Sequence, residues 1–143
     1  MEVSAFLLAD HAEAVKGKLY LTGGGWDRLT LASLPSRHPH LSIAISIRVP
    51  WQSTNGEHNL SVTLEDEDGG GVLPPFESRF EVGRPAGVRR GSDITVLLAL
   101  SMNNIEFKEE GAYVFVLKIN GSEEARAPIT VIKAPTAPSE TGD

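Results

Sequence analysis

The stretch Leu41-Ser42-Ile43-Ala44-Ile45-Ser46-Ile47-Arg48-Val49 alternates without a break: every odd position is a branched aliphatic and every even one is small or polar. On an extended chain, successive side chains point to opposite faces. This spacing therefore predicts a strand with Leu41, Ile43, Ile45, Ile47 and Val49 on one buried face. A helix would scatter the same five residues around its circumference.

The pattern recurs along the chain. Leu60, Val62 and Leu64 repeat it after a turn at Asn55-Gly56, so a hairpin between the two segments is expected. Ile94, Val96, Leu98, Leu100 and Met102 line one face of a later strand, and Tyr113, Phe115, Leu117 and Ile119 line another. Asn120-Gly121 then supplies the pair of positive-φ residues that a type I′ turn needs. The chain returns through Glu124 to Ile132, where Pro128 predicts an edge strand or a bulge. Two further strands are expected upstream, Val3 to Val15 and Lys18 to Leu31, the second with Gly23-Gly24-Gly25 in its middle.

Helical periodicity is nowhere sustained. A count of roughly seven to eight strands predicts an all-β fold, an antiparallel two-sheet sandwich. It is expected to occupy residues 1–133, with a flexible Pro/Ser/Thr-rich tail over 134–143. Glu109-Glu110-Gly111-Ala112-Tyr113 resembles the acidic-x-Gly-x-Tyr corner of immunoglobulin-like sandwiches, in which the tyrosine hydroxyl bonds back to upstream backbone.

The chain has 143 residues, enough for one core, and no cysteine. That removes disulfides, thiolate metal sites and Cys nucleophiles, and it fits a reducing compartment. A formal net charge of −6 gives no field to attract nucleic acid or an anionic membrane. No apolar run approaches membrane-span length. The apolar stretch Val3 to Ala9 follows Glu2 and lacks a basic leader, so it reads as a strand and not a signal peptide. A cytoplasmic protein with no nucleic-acid or membrane partner is expected. Arg84, Arg89 and Arg90 form the one basic concentration, read as a solvated loop.

Gly23-Gly24-Gly25-Trp26-Asp27 is the most unusual local feature. A phosphate-binding loop would need a following helix and a Gly-Lys-Ser/Thr ending, and neither is present. The glycines read as a bulge with Trp26 packed beside it. Trp26, Asp27 and Trp51 are the candidate ligand-binding residues, tryptophan faces being suited to sugars or small ligands. His38-Pro39-His40 places two imidazoles on the same side of an extended chain, and Asp10, His11, Glu13 and His58 have the chemistry to complete a metal site. Nothing in the sequence makes them converge, so neither a metal nor a cofactor is expected. There is no nucleophile elbow, and the acidic run Glu65 to Asp68 lacks the ligand spacing of an EF-hand. No catalytic residue, and no enzyme, is expected.

One signal points to association. Val114 and Val116 alternate with the core set of their strand, as Leu97 and Ala99 do in theirs, where a solvated face should be polar. Such positions need cover from the same chain, a second copy or a partner. Leu97, Val114 and Val116 are the candidate interface.

The stretch Leu8 to Asp27, with Gly-Lys-Leu-Tyr at 17–20 and Gly-Gly-Gly-Trp-Asp at 23–27, resembles a family of small bacterial proteins, largely actinobacterial, catalogued as a domain of unknown function. The likeness continues through Val49-Pro50-Trp51, Leu64 to Gly69, Val82 to Pro85 and Gly111 to Tyr113. It implies a β-sandwich from a bacterial cytosol and transfers no activity. The expected function is a non-enzymatic module acting through contacts with an unknown protein or with itself. A small-ligand or carbohydrate binder at Trp26 and Trp51 is the alternative, and a His-based metal enzyme stands behind both.

Overall fold

The computed structural model describes residues 1–135, so all but the first two residues of the expected tail lie outside the described residues. Among the described residues, nine strands form two sheets: β1 (Glu2–Val15), β2 (Lys18–Gly24), β3 (Arg28–Leu31), β4 (Ser36–Val49), β5 (Gly56–Glu65), β6 (Phe76–Val82), β7 (Ile94–Phe107), β8 (Gly111–Ile119) and β9 (Ser122–Lys133). One sheet runs β2-β1-β4-β7 and the other β3-β9-β8-β5-β6. Their inner faces enclose a single core. Leu41, Ile43, Ile45, Ile47 and Val49 come from one side, and Leu60, Val62, Leu64, Phe115, Leu117 and Ile119 from the other, all buried. The two-sheet sandwich follows directly from the alternation in these strands.

Four local expectations change. The predicted hairpin between β4 and β5 does not form, because β4 pairs with β1 and β7 while β5 pairs with β6 and β8. The Pro50–Asn55 connection, including a short 3-10 turn at Trp51–Ser53, carries the chain from one sheet to the other. Both strands need a buried face, and facing sheets satisfy that as well as a shared sheet does. The single strand expected over Lys18–Leu31 is two strands in different sheets, which raises the strand count to nine. β3 also makes the one parallel pairing among the described residues, with β9.

The third change concerns Gly23. Pairing between β1 and β2 skips from Ala9↔Gly24 to His11↔Thr22, and Gly23 has φ +58. A β-carbon there would run into the Asp10 carboxylate. The position is therefore closed to other residues on two counts. Beyond this bend, Ala12 and Leu19 of the hairpin gather with Leu7, Ala9, Ala44 and Ala99. β2 thereby reaches β7, with two strands between them in the sheet. The hairpin folds back over the outer face of its own sheet.

The fourth is Pro128. β9 is interior, but β3 begins only at the level of Thr130, whose N–H donates to the Asp27 carbonyl at 2.9 Å. Backbone groups two residues apart point the same way. The imide of Pro128 therefore faces the side that β3 does not cover there, so the rule that confines proline to edges holds locally.

Candidate functional site

β6 and β7 are the free edges on the same side of the sandwich. Between them lies a slot of about 100 Å³, lined by apolar residues such as Ile45, Leu60, Phe80 and Leu98 and by Ser78 and Arg79 of β6. β7 pairs with β4 along its whole length, from Ser36↔Phe107 to Val49↔Ile94, and its other backbone edge has no strand partner among the described residues. From Ile94 through Ile105 it carries no charged residue and no proline. Natural edge strands are ordinarily short, bulged or guarded by charge. β7 is long and unguarded except for the kink at Asn104, where φ is +54 and the pairing with β4 skips from His40↔Asn103 to His38↔Ile105.

The expected interface residues do not form one surface. Leu97 lies on the outer face of the β7 sheet, whereas Val114 and Val116 lie on the outer face of the other sheet. Val116 is buried within the chain, between Thr63 of β5 and Arg126 of β9. Ala99 is partly covered by the folded-back hairpin. Leu97 and Ala99 remain half-exposed beside the free edge, and Val114 is half-exposed on the other sheet.

The tryptophans are likewise separated, since Trp26 packs near the start of β4 and Trp51 follows its end. Trp26 rests against the core, edge-on to the His38 ring at 6.3 Å between centroids, and its buried indole Nε1 has no hydrogen-bond partner. Asp27 is exposed and contributes its carbonyl to the join between β3 and β9. The Arg84 guanidinium lies over the Trp51 ring, 3.8 Å from its centroid, held by bonds from its Nε to Thr54 Oγ1 (2.6 Å) and from a terminal nitrogen to the Trp51 carbonyl (3.1 Å). A stacking ligand would have to displace this cation from that face.

The histidines divide into three settings. His58 is held by the Ser53 carbonyl (2.8 Å) and the Asn120 amide (3.0 Å), a structural role at the base of β5. His38 is half-buried against Trp26; desolvation lowers its pKa, partly offset by a backbone acceptor at His40 and the Asp10 carboxylate. His40 turns elsewhere: its Nε2 lies 3.0 Å from His11 Nδ1, and its Nδ1 lies 2.7 Å from Asn103 Oδ1. The two imidazoles expected to act together make different contacts, His38 with Trp26 and His40 with His11 and Asn103. His11 and His40 meet instead, a pairing of residues 29 apart that no local spacing signals.

The acidic turn is used internally. Asp66 Oδ1 accepts from the Asp68 and Gly70 amides, each at 2.9 Å, and the Glu67 carboxylate accepts from the Ala112 amide at 2.9 Å. Tyr113 donates its hydroxyl to the Glu109 carbonyl at 2.7 Å, the bond expected of the corner, and burial raises its pKa. Among the described residues no helix is long and apolar enough to cross a membrane, and no cluster of three or more His, Cys, Asp or Glu is placed to hold a metal.

A family model described as a family of unknown function (DUF6941) matches residues 4–132. Among solved structures, the chain is similar to the Pseudomonas fluorescens alkylpurine DNA glycosylase AlkC bound to DNA containing an abasic site analog. The two share 8% identity at a TM-score of 0.49, over 92% of this chain and 30% of that one. That likeness is too distant to speak for activity.

Proposed function

We propose, for a chain that belongs to the DUF6941 family of unknown function, that it is a non-catalytic module that associates with a second copy of itself through the free edge of β7. The observation that carries this reading is the uncharged run from Ile94 to Ile105 on an unpaired edge. Two β7 strands meeting antiparallel about a two-fold axis would join two four-stranded sheets into one. A two-fold contact opposes each residue to a symmetry-related one, so any charge in the strand risks meeting its like. Within Ile94–Ile105 that conflict cannot arise. The half-buried Val96, Leu98 and Met102 would lose their remaining exposure in the joint. The corner at Tyr113 supports an immunoglobulin-like variant of the sandwich, and the absence of cysteine suits a bacterial cytosol.

Sedimentation velocity across a concentration series tests the reading. The parent chain is expected to move from monomer to dimer as concentration rises. Leu97→Lys adds a charge beside the edge and is expected to weaken the dimer by about a hundredfold while leaving the fold intact. A chain that stays monomeric throughout, or a Leu97→Lys variant that dimerises as its parent does, overturns the proposal.

A further inference from the structure

The contact between His11 and His40 has a chemical consequence fixed by its flanks. Glu13 Oε1 lies 3.0 Å from His11 Nε2, and a carboxylate can only accept, so Nε2 carries the proton. Asn103 Oδ1 lies 2.7 Å from His40 Nδ1, and an amide oxygen also only accepts, so Nδ1 carries the proton there. Each imidazole in its neutral form then has its other nitrogen bare. Those two bare nitrogens, His11 Nδ1 and His40 Nε2, face each other across 3.0 Å. A proton on either nitrogen closes this contact as a hydrogen bond; without it, both lone pairs are free for a shared cation.

We propose that His11 and His40 form a two-imidazole site for a divalent transition-metal ion of borderline softness, such as Cu²⁺, Ni²⁺ or Zn²⁺. Imidazole nitrogens bind such ions at about 2.0–2.1 Å, and adjacent ligands at that bond length stand about 3 Å apart. The observed separation meets this requirement once the rings, 5.2 Å apart between centroids and nearly end-on, tilt to aim both nitrogens at a common point. Glu13 and Asn103 hold the rings from behind, the arrangement that fixes tautomer and orientation at histidine metal sites. His11 and Glu13 are exposed and His40 is half-exposed, which leaves room for water to complete the coordination. The site spans β1 and β4, with its support on β7. It therefore exists only once the sheet has formed, and an ion bound there stabilises the fold. It is separate from the edge proposed for association and does not depend on it.

The test uses the full chain, untagged and stripped by chelator, titrated calorimetrically with CuCl₂, NiCl₂ or ZnCl₂. One ion per chain is expected, accompanied by a rise in melting temperature. His11→Ala and His40→Ala should each abolish this binding, whereas His38→Ala and His58→Ala should retain it. Glu13→Ala and Asn103→Leu remove the supports and should weaken affinity by about tenfold or more, and Asn103→Asp keeps an acceptor and should preserve it. Electron paramagnetic resonance of the Cu²⁺ form should report two nitrogens in the equatorial plane, falling to one in either alanine variant. The proposal is overturned if no ion binds at one per chain. It is equally overturned if binding survives both His11→Ala and His40→Ala, whose unfolding curves show whether the fold is intact.

Discussion

β6 and β7 border the same slot, and both are edge strands, yet they defend their edges in opposite ways. β6, Phe76-Glu-Ser-Arg-Phe-Glu-Val82, alternates aromatic and charged positions, with Glu77, Arg79 and Glu81 opposite Ser61, Asn59 and Glu57 of β5. It is also only half as long as β7. β7 shows an uncharged face on both sides of its pleat over Ile94–Ile105, a composition usual for strands covered on both faces. What distinguishes a finished edge from one awaiting a partner is thus charge on the alternate positions, since backbone donors and acceptors are equally free in both.

The comparison can be broken from the β6 side. Replacing Glu77, Arg79 and Glu81 together by Thr would leave β6 as unguarded as β7. Two sticky edges per chain no longer close on a two-fold, so growth beyond the dimer is expected, visible as a broad, concentration-dependent high-mass population in light scattering. If the triple variant sediments as its parent does, charge is not what keeps β6 single.

A smaller effect sharpens the contrast within the monomer. Phe80 packs its half-buried ring on the core and against His58, 5.4 Å between centroids. Phe80→Ala enlarges the slot from the β6 side and is expected to cost about 2–3 kcal/mol in denaturant unfolding, the ring being only partly buried. Dimer affinity, carried by β7, should stay within about threefold of the parent (about 0.6 kcal/mol).

The smallest effect reports on the far end of β7, where His38 faces Ile105. Burial depresses the His38 pKa below the ordinary histidine value of 6.5. The unfolded chain therefore binds this proton more readily than the folded one. The sign follows: stability should fall as pH drops from 6.5 toward the folded pKa, and level off below it. In His38→Gln this part of the pH dependence should vanish, measured as the slope of unfolding free energy against pH. A slope equal to the parent's would show that His38 titrates alike in both states.

Much of the fold was legible from alternation. Every odd residue from Leu41 to Val49 is buried, as are Leu60, Val62, Leu64, Phe115, Leu117 and Ile119, because period two assigns faces without knowledge of neighbours. The turn at Asn120-Gly121 was legible for a similar reason: φ values of +52 and +83 are a local property of those residues. The three glycines were legible as a disturbance but not as its outcome. Gly23 bends a hairpin because Asp10 stands across from it, and that neighbour is supplied by pairing, not by sequence proximity.

The candidate sites were less legible. Trp26, Asp27 and Trp51 were marked by composition, but their distance from one another and the Arg84 cover on Trp51 depend on where β4 begins and ends. His38 and His40 were grouped by spacing, but their ring contacts, Trp26 for one and His11 for the other, come from strands that spacing cannot see. A positive-φ Asn preceding Ile105 is a weak sequence signal for the kink in β7.

The sequence by itself determined that this chain is an all-β sandwich, which faces its strands bury, and that no thiol chemistry is open to it. These properties follow from side-chain alternation and residue type, both local. Only the tertiary structure decided which strands became edges, that Val116 is buried while Leu97 is not, and that His11 meets His40. Those outcomes depend on strand order and register, and hydrophobic burial, which drives the collapse, is indifferent to which of several equally apolar strands lies beside which.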